Sequence, residues 1–423
     1  MKLLTVVGAR PNFMKAAPII AAVHEHNRKS TNDRKPVRMQ HVLVHTGQHY
    51  DEIMSGSFFA DLRLSKPDLL MGVGSGSHAA QTAEIMRKFE EILLTEKPDA
   101  VIVVGDVNST MACALVASKI SFDSHGTRPL IAHVESGLRS FDRSMPEEVN
   151  RVLTDHISDL LFVTEESGLK NLHAEGICAD KLFFVGNTMI DSLLASEVEA
   201  ASSTKLDELG LRRTSPAQQM EVTPYTLLTM HRPSNVDNPE VFREILAGLE
   251  DLASQCPIIF PVHPRTQKRI EQFGIRFHVQ EQIAVPTVGI RMIPAVGYLD
   301  FLSLMKHAAL VVTDSGGIQE ETTCLGVPCV TVRNNTERPV TVEQGTNVLA
   351  GTSREGIRSA IRRQRAASRM RVAPPHWDGQ AATRIVGVLC EALQRKSVPI
   401  TRENFETLPV TDCLPYPQDA RQS

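Results

Sequence analysis

The sequence predicts an α/β protein built from two doubly wound parallel sheets. Three observations carry this. Short apolar runs, each ending in a polar turn and most followed by a helical pattern, recur six times before residue 190. The run PDAVIVV at 98–104 is almost continuously apolar, the pattern of a strand buried on both faces. The strand–helix pattern then restarts at residue 225, after a polar stretch at 201–223 that reads as a surface excursion. With 423 residues the chain has room for two domains of ordinary size.

In order, residues 3–7 are an apolar strand bounded by Gly8, and a helical run follows to about residue 22. Arg10 and Lys15 bracket the turn, and cations at a helix start make an anion site. The turn is not G-x-G-x-x-G, so it carries no dinucleotide fingerprint. Residues 27–37 read as a polar surface loop and 41–45 as a second strand, ending in TGQHYD, where His49 is a turn residue, a ligand or a base. GVGSGSH at 72–78 is rich in Gly and Ser, and 79–96 is a long helix. The strand at 99–104 runs into GDVNST and a helix at 111–119. Asp106, at that strand's end, is either an N-cap or a carboxylate aimed into a cleft.

The stretch HVESGLRSFDRSMPEEVNRVLTD at 133–155 organises the first half. An apolar strand at 130–132 feeds it, and a helix leaves it with Pro146 at its start and Glu147 and Glu148 in its first turn. Glu135 then sits at a strand's C-terminal end, the edge where open parallel sheets bind ligands. Carboxylates on one rim with no metal-ligand pattern point to proton transfer. The residues alone equally allow Glu147 and Glu148 to be capping acids and Glu135 to pair with Arg139.

Further strands are expected at 160–164 and 182–185. In the second half, strands at 225–229, 256–262, 291–293, 309–313 and 328–332 alternate with helices at 241–252, 301–307 and from about 318. His231 and Arg232 follow a strand directly, and TDSGG at 313–317 is a second phosphate-loop candidate. Arg338 adds a cation suited to phosphate. The expected domains are 1–188, joined by a C-terminal amphipathic helix at 379–395, and 189–378, with a polar tail at 396–423.

Composition excludes several classes. A net charge of -4 gives no electrostatic footprint for nucleic acid. No run approaches the roughly 18 apolar residues of a membrane span. The apolar start, MKLLTVVGAR, is better explained as a buried strand than as a leader. Seven dispersed cysteines read as reduced thiols, with neither a disulfide framework nor a zinc site.

Taken together, the runs GARPNFMKAAPI, TGQHYDEIM, VVGDVNSTMA, HVESGLRS, MPEEVNR, TMHRPSNVD, FPVHPRT, YLDFLSLM, SGGIQEE and TERPVT resemble the non-hydrolysing UDP-N-acetylglucosamine 2-epimerases. The matching runs occur in order and cover most of residues 1–393. The resemblance implies two Rossmann-like domains facing a central cleft, the GT-B type, with UDP held there. It implies a cytoplasmic homodimer that needs no metal or nicotinamide and expels UDP across C1–C2 of the sugar, then adds it back to 2-acetamidoglucal. Matched motif by motif, Asp106, Glu135 and Glu147 are implied as acid/base carboxylates, and His231 as a catalytic histidine at the diphosphate. Arg10 and Lys15 are implied near the sugar and phosphates, Ser315, Gly316 and Gly317 at the diphosphate, Glu321 at the ribose, and Phe301 and Arg338 at the uridine diphosphate.

Two departures stand out. Val296 replaces a glutamine that many bacterial members carry five residues before the aromatic. The 72–78 run replaces an arginine-bearing segment, which puts activation by a second UDP-N-acetylglucosamine near Gln48 and His49 in doubt. The alternatives are a hydrolysing relative, an epimerase of a modified UDP-sugar, a glycosyltransferase and a nucleotide-sugar sensor.

Overall fold

A computed structural model describes residues 1–30, 38–48, 61–62, 64–214, 220–275, 288–366 and 373–397. His49, most of the loop expected at 27–37 and the tail beyond 397 lie outside the described residues. The chain divides into two compact units. Unit 1 comprises 1–51, 65–188 and the segment from 379, and unit 2 comprises 52–64 and 189–378. In the 52–64 segment, the carboxylate of Asp61 accepts from the backbone N–H of Tyr298 at 2.9 Å, which ties that segment to unit 2.

Among the described residues unit 1 holds seven strands: β1 Lys2–Val7, β2 Gln40–His45, β3 Leu69–Leu70, β4 Ala100–Val104, β5 Leu130–Ser136, β6 Leu160–Val163 and β7 Leu182–Phe184. They pair in the order β3-β2-β1-β4-β5-β6-β7, all parallel. Alternate residues cover opposite faces, as a period of two requires. Leu3, Ile102, Ala132 and Val134 pack toward the helices Arg10–Ser30 and Ala381–Ser397. Leu4, Val6, Val101, Val103 and Ile131 pack toward His78–Glu96 and Asn108–Lys119. The chain leaves β1 toward one edge and β4 toward the other, so the switch point lies between β1 and β4, where open sheets bind ligands.

Unit 2 carries a small antiparallel pair, β8 Arg212–Thr214 and β9 Met220–Val222, within the expected surface excursion. Its main sheet comprises β10 Thr226–Thr229, β11 Pro257–Val262, β12 Gly289–Pro294, β13 Leu310–Thr313, β14 Cys329–Thr331 and β15 Asn347–Leu349, in the order β12-β11-β10-β13-β14-β15. The switch point here is β10/β13. One face is packed by the helices Pro239–Ala253 and Arg354–Ala366 through Phe242, Ile245, Leu249 and Ile357. Gly248 allows this close approach, since a Cβ there would lie 2.8 Å from Cβ of Ile357.

Three expectations are corrected. The first helix continues to Ser30, so the polar stretch from residue 27 begins as its last turn, with Arg28 and Lys29 suited to the helix C-terminus. The helix after β4 starts at Asn108 rather than 111. The last strand is β15, and the helix Arg354–Ala366 follows it.

His41, beside β1, shares a 2.8 Å hydrogen bond between Nε2 and Thr5 Oγ1. Burial pushes its pKa down to about 4, against the opposing charge of Asp68. The unfolded chain binds this proton at about 6.5, so the folded state loses stability as pH falls from there toward about 4. The loss is expected to reach about 3 kcal/mol at most. His41→Gln should flatten that part of the stability–pH profile in urea unfolding between pH 7 and 4. An unchanged profile would remove His41 as the source.

Candidate functional site

Unit 1 places its candidate residues around the C-terminal ends of β1, β4 and β5. Gly8 turns the chain out of β1, and Asn12 fixes that turn by accepting from the N–H groups of Gly8 and Ala9 at 2.9 Å and donating to the carbonyl of Val104 at 2.9 Å. One turn later the helix delivers Lys15, whose Nζ contacts Glu135 Oε1 at 2.7 Å. Both side chains are buried, at 4% and 2% exposure. Gly105 makes room for the lysine, since a Cβ there would lie 2.8 Å from Lys15 Nζ. Arg10, the first residue of the same helix, is half-buried.

Glu135 reaches Lys15 through a break in the ladder. The β5–β6 register shifts between Val134 and Ser136, and Glu135 adopts φ +71°. Left-handed φ at a non-glycine residue is uncommon, and a bulge of this kind re-aims a side chain. The alternative pairing of Glu135 with Arg139 is not formed. Arg139 instead contacts Asp155 and Glu175, each at 2.7 Å.

Asp106 is not an N-cap, because Val107 holds that position. Its carboxylate pairs with Arg151, and its carbonyl accepts from Asn150 Nδ2 at 2.9 Å. The two adjacent acids of the next helix divide their tasks. Glu148 is buried and accepts from the N–H and hydroxyl of Ser140, the N–H of Phe141 and Arg151 Nη1, all within 2.9 Å. It clamps the turn in which Phe141 stands exposed at φ +58°. Glu147 is half-buried with no polar side-chain partner among the described residues, which leaves its carboxylate available for chemistry.

Unit 2 gathers its candidates at the ends of β10 and β13. His231 is half-exposed, and its Nδ1 lies 3.1 Å from Asp314 Oδ1. Asp314 is fully buried and also accepts from the backbone N–H groups of His231 and Arg232 at 3.0 and 2.9 Å. Burial pushes its carboxyl up, but His231 and the two N–H groups outweigh this and hold it below its ordinary value. Asp314 thereby orients the imidazole and leaves Nε2 for a ligand. Sequence reasoning placed Asp314 in the phosphate loop without this role. The signal was available, because β10 and β13 are neighbours and residues leaving both must meet.

The helix Gly316–Leu325 follows, with Ser315 as N-cap and no side-chain cap on its first N–H groups, an arrangement suited to an anion. Glycine at 316 leaves room for the neighbouring guanidinium, since a Cβ would lie 2.5 Å from Arg338 Nη1. Arg338 pairs with Glu337 at 2.6 Å and Glu320 at 2.9 Å, and Glu337 also contacts Arg333 at 2.8 Å and Arg232 at 3.3 Å. Burial pushes the Arg333 guanidinium below its ordinary value, with Glu337 opposing and Arg232 and Arg338 adding to the effect. An arriving anion would relieve that crowding of cations. Gly317 packs near Met189. Glu321 is buried, and its Oε1 accepts from the Tyr298 hydroxyl at 3.1 Å. Burial, then the Glu321 charge, pushes that hydroxyl well above its ordinary value. Phe301, half-buried, lies on the same helix as Tyr298, Tyr298–His307. Among the described residues no three His, Cys, Asp or Glu side chains are grouped to hold a metal ion, and no helix is long and apolar enough to cross a membrane.

Glu148→Gln places an amide nitrogen where at least one N–H donor must face it. We expect a loss of about 2 kcal/mol in urea unfolding, because a buried donor is left without an acceptor. A loss below about 0.5 kcal/mol would show that the clamp contributes little.

The comparisons with known proteins agree with one another. The family model described as UDP-N-acetylglucosamine 2-epimerase matches residues 31–390. A UDP-N-acetylglucosamine 2-epimerase of Methanocaldococcus jannaschii is 41% identical over 391 residues, covering 92% of this chain and 99% of the relative. A UDP-2,3-diacetamido-2,3-dideoxy-D-glucuronate 2-epimerase of Pseudomonas aeruginosa is 37% identical, covering 92% of this chain and all of the relative, 100%. Among solved structures, the Methanocaldococcus jannaschii UDP-GlcNAc 2-epimerase in complex with UDP-GlcNAc and UDP superposes with a TM-score of 0.79 at 40% identity, covering 92% of this chain and 100% of that one.

Proposed function

The chain belongs to the UDP-N-acetylglucosamine 2-epimerase family, and from that premise we propose that it interconverts UDP-N-acetylglucosamine and UDP-N-acetylmannosamine by eliminating and re-adding UDP. The C2 proton passes to a protein base, and its electron pair forms the C1=C2 bond of 2-acetamidoglucal. The C1–O bond breaks with its electrons on the departing UDP. UDP then adds back at C1 while a proton is delivered to the opposite face of C2.

The observation that carries this reading is the placement of two carboxylates, Asp106 and Glu135, at the ends of the adjacent parallel strands β4 and β5. Proton traffic at both faces of one carbon needs at least two such groups. Glu135 is paired with a buried ammonium, Asp106 with a guanidinium, and Glu147 is a third acid on the helix between them in sequence and β6. We assign proton transfer to these three. Arg10 and Lys15 are assigned to the sugar and phosphate oxygens.

In unit 2 we assign His231, oriented by Asp314, the Ser315 side chain and the N–H groups of Gly316 and Gly317 to the diphosphate, whose charge grows as the C1–O bond breaks. Arg338 supplies positive charge there, Glu321 accepts from ribose hydroxyls, and Phe301 lines the uridine. A homodimer in the cytoplasm, supplying a precursor for cell-surface polysaccharide, completes the proposal. A second reading, a diacetamido uronic acid on the same nucleotide, draws on the 37% identical Pseudomonas relative.

Proton NMR in deuterated water tests both. With UDP-N-acetylglucosamine we expect deuterium at C2 and UDP-N-acetylmannosamine rising to a constant ratio. Accumulation of free N-acetylmannosamine and UDP would identify a hydrolysing enzyme instead. Turnover of the diacetamido sugar alone would select the second reading. Glu135→Gln should keep UDP affinity while kcat falls about 100-fold or more, the scale of a lost acid/base group. Near-unchanged kcat would remove Glu135 from the chemistry.

A further inference from the structure

Asp155 stands in the last turn of the helix Pro146–Ile157 and is buried at 1% exposure. An acid there opposes the helix dipole, so its place is not explained by the helix itself. Its carboxylate instead gathers three groups that flank Glu135. Oδ1 lies 2.6 Å from His133 Nδ1, two residues before. Oδ2 accepts from the Gly137 N–H at 3.1 Å, two residues after, and lies 2.7 Å from Arg139 Nη2.

The frame continues on both sides. His133 Nε2 is 2.8 Å from the carbonyl of Gly105, the residue before Asp106. Both ring nitrogens therefore lie within hydrogen-bond distance of an oxygen. The Gly137 carbonyl accepts from Asn171 Nδ2 at 2.8 Å, and a Cβ on Gly137 would lie 2.6 Å from the Gly168 carbonyl oxygen. Arg139 is held from its outer side by Glu175 through two 2.7 Å hydrogen bonds. The left-handed residue Glu135 is thus suspended between two points that one buried carboxylate fixes.

We infer that Asp155 is a positioning residue: by holding His133, Gly137 and Arg139 it keeps the Glu135 carboxylate on Lys15, and through His133 it ties the Asp106 loop to the same frame. Asp155 touches neither Glu135 nor Asp106 through its own side-chain hydrogen bonds given above. Its effect therefore falls on the geometry of proton transfer and not on the nucleotide groups of unit 2. The inference rests on the epimerase reading for its catalytic consequence, while the frame itself is testable without turnover.

The test uses the full chain. Asp155→Asn keeps the shape but sets an amide N–H against one of three donors. With UDP-N-acetylglucosamine, kcat should fall at least 100-fold, with KM and calorimetric UDP affinity within threefold of wild type. His133→Gln keeps a donor near the Gly105 carbonyl and loses the Asp155 contact, whereas His133→Asn does the reverse, and each should lower kcat at least tenfold. Hydrogen–deuterium exchange of the peptide 133–139 should accelerate at least tenfold in Asp155→Asn, with the β1 and β4 peptides unchanged. A folded Asp155→Asn with kcat within threefold of wild type, or with unaltered exchange at 133–139, overturns the inference. If that variant does not fold, wild-type kcat in both His133 variants overturns it. A wild-type protein inert toward both UDP-sugars sinks the epimerase reading, and the exchange experiment still decides the frame.

Discussion

The buried pair of Lys15 and Glu135 is the constraint on which unit 1 depends. Two charges removed from water gain stability only when their geometry is held closely, and loss of either partner leaves an uncompensated charge inside. The chain meets this by delivering each from a rigid element, Lys15 from the helix after β1 and Glu135 from the bulge ending β5. Strand β4 lies between those two strands, so its exit must be free of side chain, and Gly105 is there at φ +68°. The sheet order, the bulge and that glycine are three aspects of one requirement. The parallel register of β1 with β4 and of β4 with β5 sets the three strand ends level at one rim.

Unit 2 answers a related requirement differently. At its own switch point the buried charge, Asp314, pairs with no buried cation among the described residues. It is held by backbone N–H groups, the Asn235 amide and a half-exposed imidazole. A group held this way directs its partner outward, whereas Lys15 and Glu135 face each other. Beside it, three arginines, Arg232, Arg333 and Arg338, share two glutamates, Glu320 and Glu337. Clustered guanidinium groups next to helix N–H groups without a side-chain cap are the electrostatic form of an anion site. One sheet architecture therefore supports two kinds of rim, one built around a buried ion pair and one around an arginine–glutamate cluster beside a helix start.

Much of this was legible in the chain because strand ends are punctuated by residues that cannot hide. PDAVIVV must be buried on both faces, and Gly105-Asp106 after it must leave the sheet; likewise Thr313-Asp314-Ser315 must begin a loop. What periodicity does not reveal is which neighbour a buried charge has chosen. Glu147 and Glu148 are adjacent acids in one helical turn, and it is the contacts of Glu148 with Ser140, Phe141 and Arg151 that distinguish the clamp from its neighbour. Arg139 was readable as a partner for Glu135 by proximity in sequence, but the bulge turns Glu135 toward Lys15, 120 residues away in the chain. The strand β15 and the helix Arg354–Ala366 were missed because a three-residue edge strand, Asn347–Leu349, carries too little pattern to register.

Asp155 shows where a sequence does signal such a choice. An acid in a helix's last turn contradicts the local preference, and conflicts between local and global demands concentrate at functional sites. Glu135 carries the same signature in its backbone. A side chain at φ +71° is held against a cost of roughly 1–2 kcal/mol that glycine would avoid. Glycine would also remove the carboxylate, and with it the partner that makes a buried Lys15 tolerable. The strain at Glu135 and the unfavourable place of Asp155 are thus two ends of one arrangement. The rim needs a charge at a position where the chain would otherwise put a glycine, and the buried frame behind it is what holds the charge there.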